Sequence, residues 1–214
     1  MCQAYRMLSL PPIVRIPSPD PYEACMALDG GAAGVIAPYV ETVAQAQALR
    51  GAVKLRPIKG ERLAAALRDV TTLEPELRAY VDGRNQDALF IINIESTPAL
   101  DRLDELLAVP DLDAVLIGPH DLSCSLGFPE RYDDPRFEAA VLTIIRRARA
   151  AGVAAGIHWW GPVERFDAWI EAGLNLIICN GDISAMHAKL GADIAALRRA
   201  AGDNGPAGGK ADAI

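Results

Sequence analysis

The chain has 214 residues, 51% of them hydrophobic and 23% charged, which is enough apolar material for one sizeable domain and excludes global disorder. Lys and Arg total 21 against 28 Asp and Glu, and a net charge of −7 argues against general binding to nucleic acid or to anionic membranes. No run of eighteen apolar residues occurs and Met1 to Leu10 lacks a signal-peptide core, so the sequence predicts a soluble cytoplasmic protein with no membrane span.

In chain order, six short apolar runs stand out: Ile13–Pro17, Gly34–Ala37, Leu89–Ile94, Ala114–Ile117, Ala154–Ile157 and Leu176–Cys179. Strands buried on both faces read as such continuous runs. Amphipathic, Ala/Leu-rich stretches alternate with them, which predicts βα units on a parallel sheet. The predicted helices are Pro21–Gly30, Thr42–Leu49, Thr97–Val109, Pro135–Ala151, Pro162–Ala172 and Ile183–Ala200. Asp20 is the expected N-cap of the first, with Pro21 at its first position, and Gly30, Gly152 and Gly173 fall where helices stop.

Two segments depart from the alternation. Arg50–Asp87 is long and mixed and is expected over one rim of the sheet; Cys124–Asp134 reads as a second long loop. The stretch 201–214 is Gly/Pro-rich and is expected to be a disordered tail beyond a single domain at 1–200. Six strands suit either an open doubly wound sheet or a barrel without its first two βα units. A complete (β/α)₈ barrel takes about 250 residues. An open barrel exposes edges, so the chain is expected to be marginally stable alone or completed by neighbouring subunits.

Active residues of α/β sheets sit at the carboxyl ends of strands. The third run ends at Glu95 and the fourth at Gly118-Pro119-His120-Asp121. If those strands are neighbours, two carboxylates share one cavity, an oxygen-rich pair that suits Mg²⁺ or Mn²⁺ better than zinc. The alternative is that Glu95 pairs with an arginine and Asp121 caps a turn. Gly118 to Asp121 reads as a tight turn whose His120 and Asp121 amides could take a substrate carboxylate, or as an ordinary βα turn. Arg15 lies inside the first run, where an arginine needs a partner; an oxyanion clamp and a salt bridge are equally open. His158 ends the fifth run and reads as a substrate contact or a satisfied rim histidine. Trp159 and Trp160 shape a pocket mouth or bridge sheet and helices, and His187 belongs to the surface of the last helix. The four lysines (Lys54, Lys59, Lys189 and Lys210) all miss the strand ends, which argues against Schiff-base chemistry. The four cysteines (Cys2, Cys25, Cys124 and Cys179) form no CxxC pair and read as reduced thiols.

At Asn93-Ile94-Glu95 and Gly118-Pro119-His120-Asp121-Leu122-Ser123 the sequence resembles the HpcH/HpaI aldolases, the divalent-metal-dependent class II pyruvate aldolases. Further matching phrases are Pro12–Pro21, Leu28–Val40 and Ser125–Val141, and the resemblance runs from Pro11 to Ala200. It implies a TIM-type (β/α)₈ barrel of the phosphoenolpyruvate/pyruvate-binding type. It implies hexamers in which the last helix packs on a neighbouring subunit. It assigns Glu95 and Asp121 to a metal (Mg²⁺ or Mn²⁺, with Co²⁺ possible) and Arg15 to the bound oxo-acid. The backbone around Gly118, Pro119, His120 and Asp121 would hold the pyruvate carboxylate, and His158 would lie beside the pyruvate methyl and bear on specificity. The implied reaction is aldol cleavage or condensation of a 4-hydroxy-2-oxo acid, giving pyruvate or a related 2-oxo acid and an aldehyde. The family pattern places two further strands, with an acid/base histidine in a D-x-E-H-like motif, ahead of the Ile13 run; neither precedes it in this sequence, and Lys54–Leu63 departs from the family's RYPPxGxRG segment. A CoA-ester lyase of the citrate-lyase type, with Lys54–Arg62 as a conceivable CoA site, is a rival reading, as is a barrel that binds oxo-acids without turnover. A glycosidase is a third, disfavoured by the 6% aromatic content.

Overall fold

The computed structural model describes residues 1–203; most of the expected tail, 204–214, lies outside the described residues. A short helix, α1 (Cys2–Met7), precedes a six-stranded sheet: β1 (Ile13–Arg15), β2 (Gly34–Ala37), β3 (Leu89–Ile94), β4 (Ala114–Ile117), β5 (Ala154–Trp159) and β6 (Leu176–Cys179). All neighbours are parallel and the spatial order is the chain order, β1 to β6. The molecule is thus an α/β fold on a curled, half-barrel sheet, and each predicted strand forms within two residues of its expected bounds.

The two faces of the sheet differ. Val35, Phe90, Ile92, Val115 and Ile157 point to the helix layer and join the main core. Ile36, Ile91, Ala114 and Leu116 point the other way and form a separate concave cluster with Ala154, Leu176 and Ile178. Burial on both faces is why the central strands lack the alternation of half-exposed strands. The edges are barer: Ile13 on β1 is 39% exposed and Ile177 on β6 is 44% exposed.

The helix layer comprises α2 (Pro21–Asp29), α3 (Val43–Lys54), α4 (Gly60–Arg68), α5 (Pro75–Asn85), α6 (Thr97–Asp101), α7 (Leu103–Leu107), α8 (Pro119–Ser125), α9 (Pro135–Ala150), α10 (Arg165–Glu171) and α11 (Asp182–Ala200). Asp20 caps α2 through the Tyr22 amide, with Pro21 at the first position, as the sequence predicts. Three expectations need correction. The single helix expected at Thr97–Val109 is broken at Arg102 into α6 and α7. The helix expected from Thr42 continues five residues past Leu49, because buried Arg50 is neutralised by Asp111 at 2.8 Å and also reaches the Leu67 carbonyl. The Gly118–Asp121 turn is the start of α8, which also takes Cys124 and Ser125 out of the expected loop.

The mixed segment Arg50–Asp87 builds its own small core from Leu55, Ile58, Ala66, Leu73 and Val81. Lys54 pairs with Asp113 at 2.7 Å, just ahead of β4, so the segment covers the rim at the amino ends of the strands. Trp159 is buried edge-on against Trp169 and Tyr132, at centroid distances of 5.3 and 5.2 Å, and bridges sheet and helices. No described helix is long and apolar enough to cross a membrane.

Candidate active site

The site is built where β3 and β4 end. Ile94 pairs with Ile117, which sets Glu95 level with Gly118 at the carboxyl ends of two adjacent strands. Glu95 follows the parity of Ile91 and Asn93 and therefore faces the concave side. It is only 4% exposed, and no ion pair reaches it among the described residues. The arginine partner considered from sequence is not there. Instead the Tyr39 amide donates to Oε1 at 2.7 Å and Asn93 Nδ2 donates to Oε2 at 2.8 Å. Each carboxylate oxygen accepts one hydrogen bond and keeps a lone pair for something else.

Gly118 makes this arrangement possible. A Cβ at that position would lie 2.6 Å from Glu95 Oε2 and 3.0 Å from Glu95 Cβ. Gly118 is also the N-cap of α8, so Pro119, His120 and Asp121 form its first turn. The His120 and Asp121 amides are therefore N-terminal helical N–H groups without an intrahelical acceptor. The Asp121 side chain makes no capping bond and no ion pair among the described residues, which removes the turn-cap alternative. The His120 imidazole turns away: Nδ1 is 3.5 Å from Glu130 and Nε2 is 3.9 Å from Cys124 Sγ. Only its backbone is left to serve the cavity. Near α8, burial and the negative charges of Glu130, Cys124 and Asp121 push the Tyr132 phenol above its ordinary pKa, so it stays a neutral donor at pH 7.

Arg15 pairs in register with Ile36 and shares its concave orientation. The expected burial and partner are not found. Arg15 is exposed, because β1 is an edge strand, and its guanidinium lies 5.9 Å from the Tyr39 ring centroid without an ion pair among the described residues. His158, on β5, is half-buried; its ring packs 4.0 Å from Trp160, and Nε2 lies 3.1 Å from the Asn180 carbonyl. A carbonyl only accepts, so Nε2 is the donor in this contact and Nδ1 is left without a partner among the described residues.

Sequence reasoning missed Tyr39 as a site residue. Its φ of 55° is in the left-handed region, uncommon outside glycine and asparagine. That conformation aims its amide at Glu95 and its ring toward Arg15, joining the two halves of the site. The signal available was the Pro38-Tyr39 corner directly after a strand. Asn93 was read as part of a motif and not as a functional group. Its Nδ2 holds Glu95, and its Oδ1 is buried without a hydrogen-bond partner among the described residues.

Glu95, Asp121 and the orphaned Asn93 oxygen are all hard oxygen donors, and the residues present fit a divalent cation of the Mg²⁺ or Mn²⁺ class. Among the described residues no group of three or more His, Cys, Asp or Glu is clustered for a metal. Two carboxylates would leave coordination positions for water and substrate, as such ions prefer. Asn93→Ala is expected to weaken Mn²⁺ binding 10–100-fold by freeing the Glu95 carboxylate, measured by calorimetric titration.

The model of the HpcH/HpaI aldolase/citrate lyase family matches residues 2–177. The chain belongs to this family. Curated relatives of the chain are named as aldolases, and it spans about two thirds to three quarters of their length. The 2-keto-3-deoxy-L-rhamnonate aldolase of Shigella boydii serotype 4 is 35% identical over 181 residues; the match covers 84% of this chain and spans 66% of that aldolase's length. The 2-dehydro-3,6-dideoxy-6-sulfogluconate aldolase of Pseudomonas putida is 32% identical over 196 residues, 92% of this chain and 76% of the relative. A solved HpcH/HpaI aldolase/citrate lyase family protein from Burkholderia cenocepacia J2315 superposes with a TM-score of 0.75 at 28% identity, covering 92% of this chain and 77% of that one. The Lys54–Arg62 segment considered for CoA lies on the rim opposite Glu95, with Lys54, Arg56 and Arg62 paired to Asp113, Asp29 and Glu74.

Proposed function

We propose that this chain catalyses metal-dependent aldol cleavage and condensation of a 4-hydroxy-2-oxo acid, yielding pyruvate or a related 2-oxo acid and an aldehyde. The observation that carries the reading is the level placement of Glu95 and the Gly118–Asp121 helix start on adjacent strand ends. The six strands correspond to the last six of a (β/α)₈ barrel within the 1–200 domain, and the site is the concave mouth at their carboxyl ends.

Glu95 and Asp121 would hold Mg²⁺ or Mn²⁺, with Co²⁺ a substitute, and the ion when bound supplies Lewis-acid polarisation of the 2-oxo group. The remaining roles belong to the chain's own groups. The His120 and Asp121 amides, with Gly118 and Pro119 shaping the turn, bind the oxo-acid carboxylate. As the C4 hydroxyl gives its proton to water in the mouth, C4 becomes the aldehyde carbonyl, and breaking the C3–C4 bond leaves the electron pair on the three-carbon fragment, with negative charge on its 2-oxo oxygen. Arg15 donates to that oxygen. His158 presents Nδ1 at the wall of the mouth and selects the substituent on the oxo-acid. Tyr39 and Asn93 keep the Glu95 carboxylate from rotating.

The reading extends to self-association and to the cytoplasm. Helix α11 buries none of its residues, and Ile183, Met186, Leu190, Ile194 and Leu197, 51–73% exposed, form a stripe at helical spacing. Such a stripe calls for a second copy, and a hexamer fits the family pattern. The four free thiols suit a reducing compartment.

The test is exchange of pyruvate methyl protons in D₂O with Mg²⁺, Mn²⁺ or Co²⁺. Metal-dependent exchange is the expected result, with Arg15→Ala slowed about 10²-fold. No exchange with any of the three ions overturns the reading, and normal exchange by Arg15→Ala removes the oxyanion role.

A further inference from the structure

A second feature lies at the other end of the sheet and owes nothing to the catalytic reading. A cavity of about 560 Å³ opens at the amino ends of β1, β2 and β3, a volume suited to a small organic ligand. Arg6, Arg56 and Arg84 line it, in a chain whose net charge is −7.

The three guanidiniums are not consumed by each other's surroundings. The Arg56 side chain is only 15% exposed; Nη1 meets Asp29 at 2.9 Å, but Nε is buried without an acceptor among the described residues. A buried charged N–H group without a partner is rare and calls for an explanation such as an absent anion. Arg6 is anchored in the wall by the Gly31 and Ala32 carbonyls, at 2.6 and 3.2 Å from Nε and Nη2, which leaves Nη1 over. Arg84, in the last turn of α5, makes no hydrogen bond or ion pair among the described residues. Asp87 shares the wall yet pairs with none of the three among the described residues.

We propose that this cavity binds a small phosphate monoester, with the phosphate on Arg6, Arg56 and Arg84. Guanidinium forks match the oxygens of a tetrahedral dianion and bind it bidentately. Apart from Ser9 and Asp87, the rest of the wall, including Leu28, Ala33 and Ala88, is apolar and takes the carbon body, which a bare ion would leave unused. The cavity and Glu95 are joined by β3: Ala88 lines one and Glu95 follows its last residue, about 23 Å away at about 3.3 Å per residue. The site is therefore separate from the carboxylate pair.

Calorimetric titration at constant ionic strength tests this, with inorganic phosphate and glucose 6-phosphate as probes and glucose as the control. Both phosphates are expected to bind saturably and competitively, glucose not at all. Arg84→Gln, at an exposed position, is expected to weaken binding at least tenfold and Arg6→Gln likewise; Glu95→Gln is expected to leave it unchanged. The proposal is overturned if neither phosphate binds saturably, if binding survives both arginine substitutions, or if it disappears in Glu95→Gln.

Discussion

Replacing Glu95 by alanine is expected to slow metal-dependent exchange of pyruvate methyl protons by about 10³-fold or more, and to leave the fold intact. The magnitude follows from the several kcal/mol that a bound cation contributes to charge on a carbonyl oxygen, at about 1.4 kcal/mol per decade of rate. The fold is expected to survive because Glu95 lies one residue beyond β3 and makes no ion pair among the described residues. Its removal leaves two former donors, the Tyr39 amide and Asn93 Nδ2, which water in the open mouth can satisfy. Circular dichroism controls for folding, and Mn²⁺ titration should show the loss of affinity directly. Undiminished metal-dependent exchange by Glu95→Ala would refute its assignment as a ligand.

The second large effect is expected from one methyl group. In Gly118→Ala the new Cβ meets Glu95 Oε2 at 2.6 Å and Glu95 Cβ at 3.0 Å. The carboxylate cannot retreat without breaking the bonds from Tyr39 and Asn93, and β3 cannot move because it is paired to β2 and β4 along its length. Exchange and Mn²⁺ affinity should both fall about 10²–10³-fold, approaching the loss of the ligand itself. Gly83→Ala is the control. Residue 83 lies within α5, and a Cβ there meets nothing within 4 Å, so activity should be unchanged and stability, by helix propensity, slightly raised. Equal activity of Gly118→Ala and wild type would mean that Glu95 does not need the position in which it is found.

What the sequence made legible follows from burial. The strands could be read because both faces are covered, so Leu89 to Ile92 and Ala114 to Ile117 appear as unbroken apolar runs. Helix α3 runs past Leu49 because the fold brings Asp111, 61 residues away, to neutralise Arg50, a pairing no local window contains. Gly118 to Asp121 reads as a turn, yet Pro119 sits at the first helical position and opens α8. Glu95 and Asp121 were visible as carboxylates after strands. Tyr39 was not, because it acts on Glu95 through its backbone amide, a group every residue except proline carries, in a conformation a tyrosine seldom adopts. Arg15 was expected to be buried because its run is apolar, yet edge position, which a local window does not encode, decides its exposure.

The order of strands carries a last consequence. Glu95 grows from β3, which has hydrogen-bonded neighbours on both sides, whereas Arg15 ends the three-residue β1 at the margin. Fluctuations that peel a sheet start at its margins and reach interior strands only at the cost of global unfolding. Glu95, the proposed cation ligand, should therefore persist as a fixed template through excursions that repeatedly displace the guanidinium. Amides of Phe90 to Ile94 should then outlast those of Val14 and Arg15 in deuterium labelling, and the affinity of the template for its ion should be insensitive to whatever rigidifies the margin.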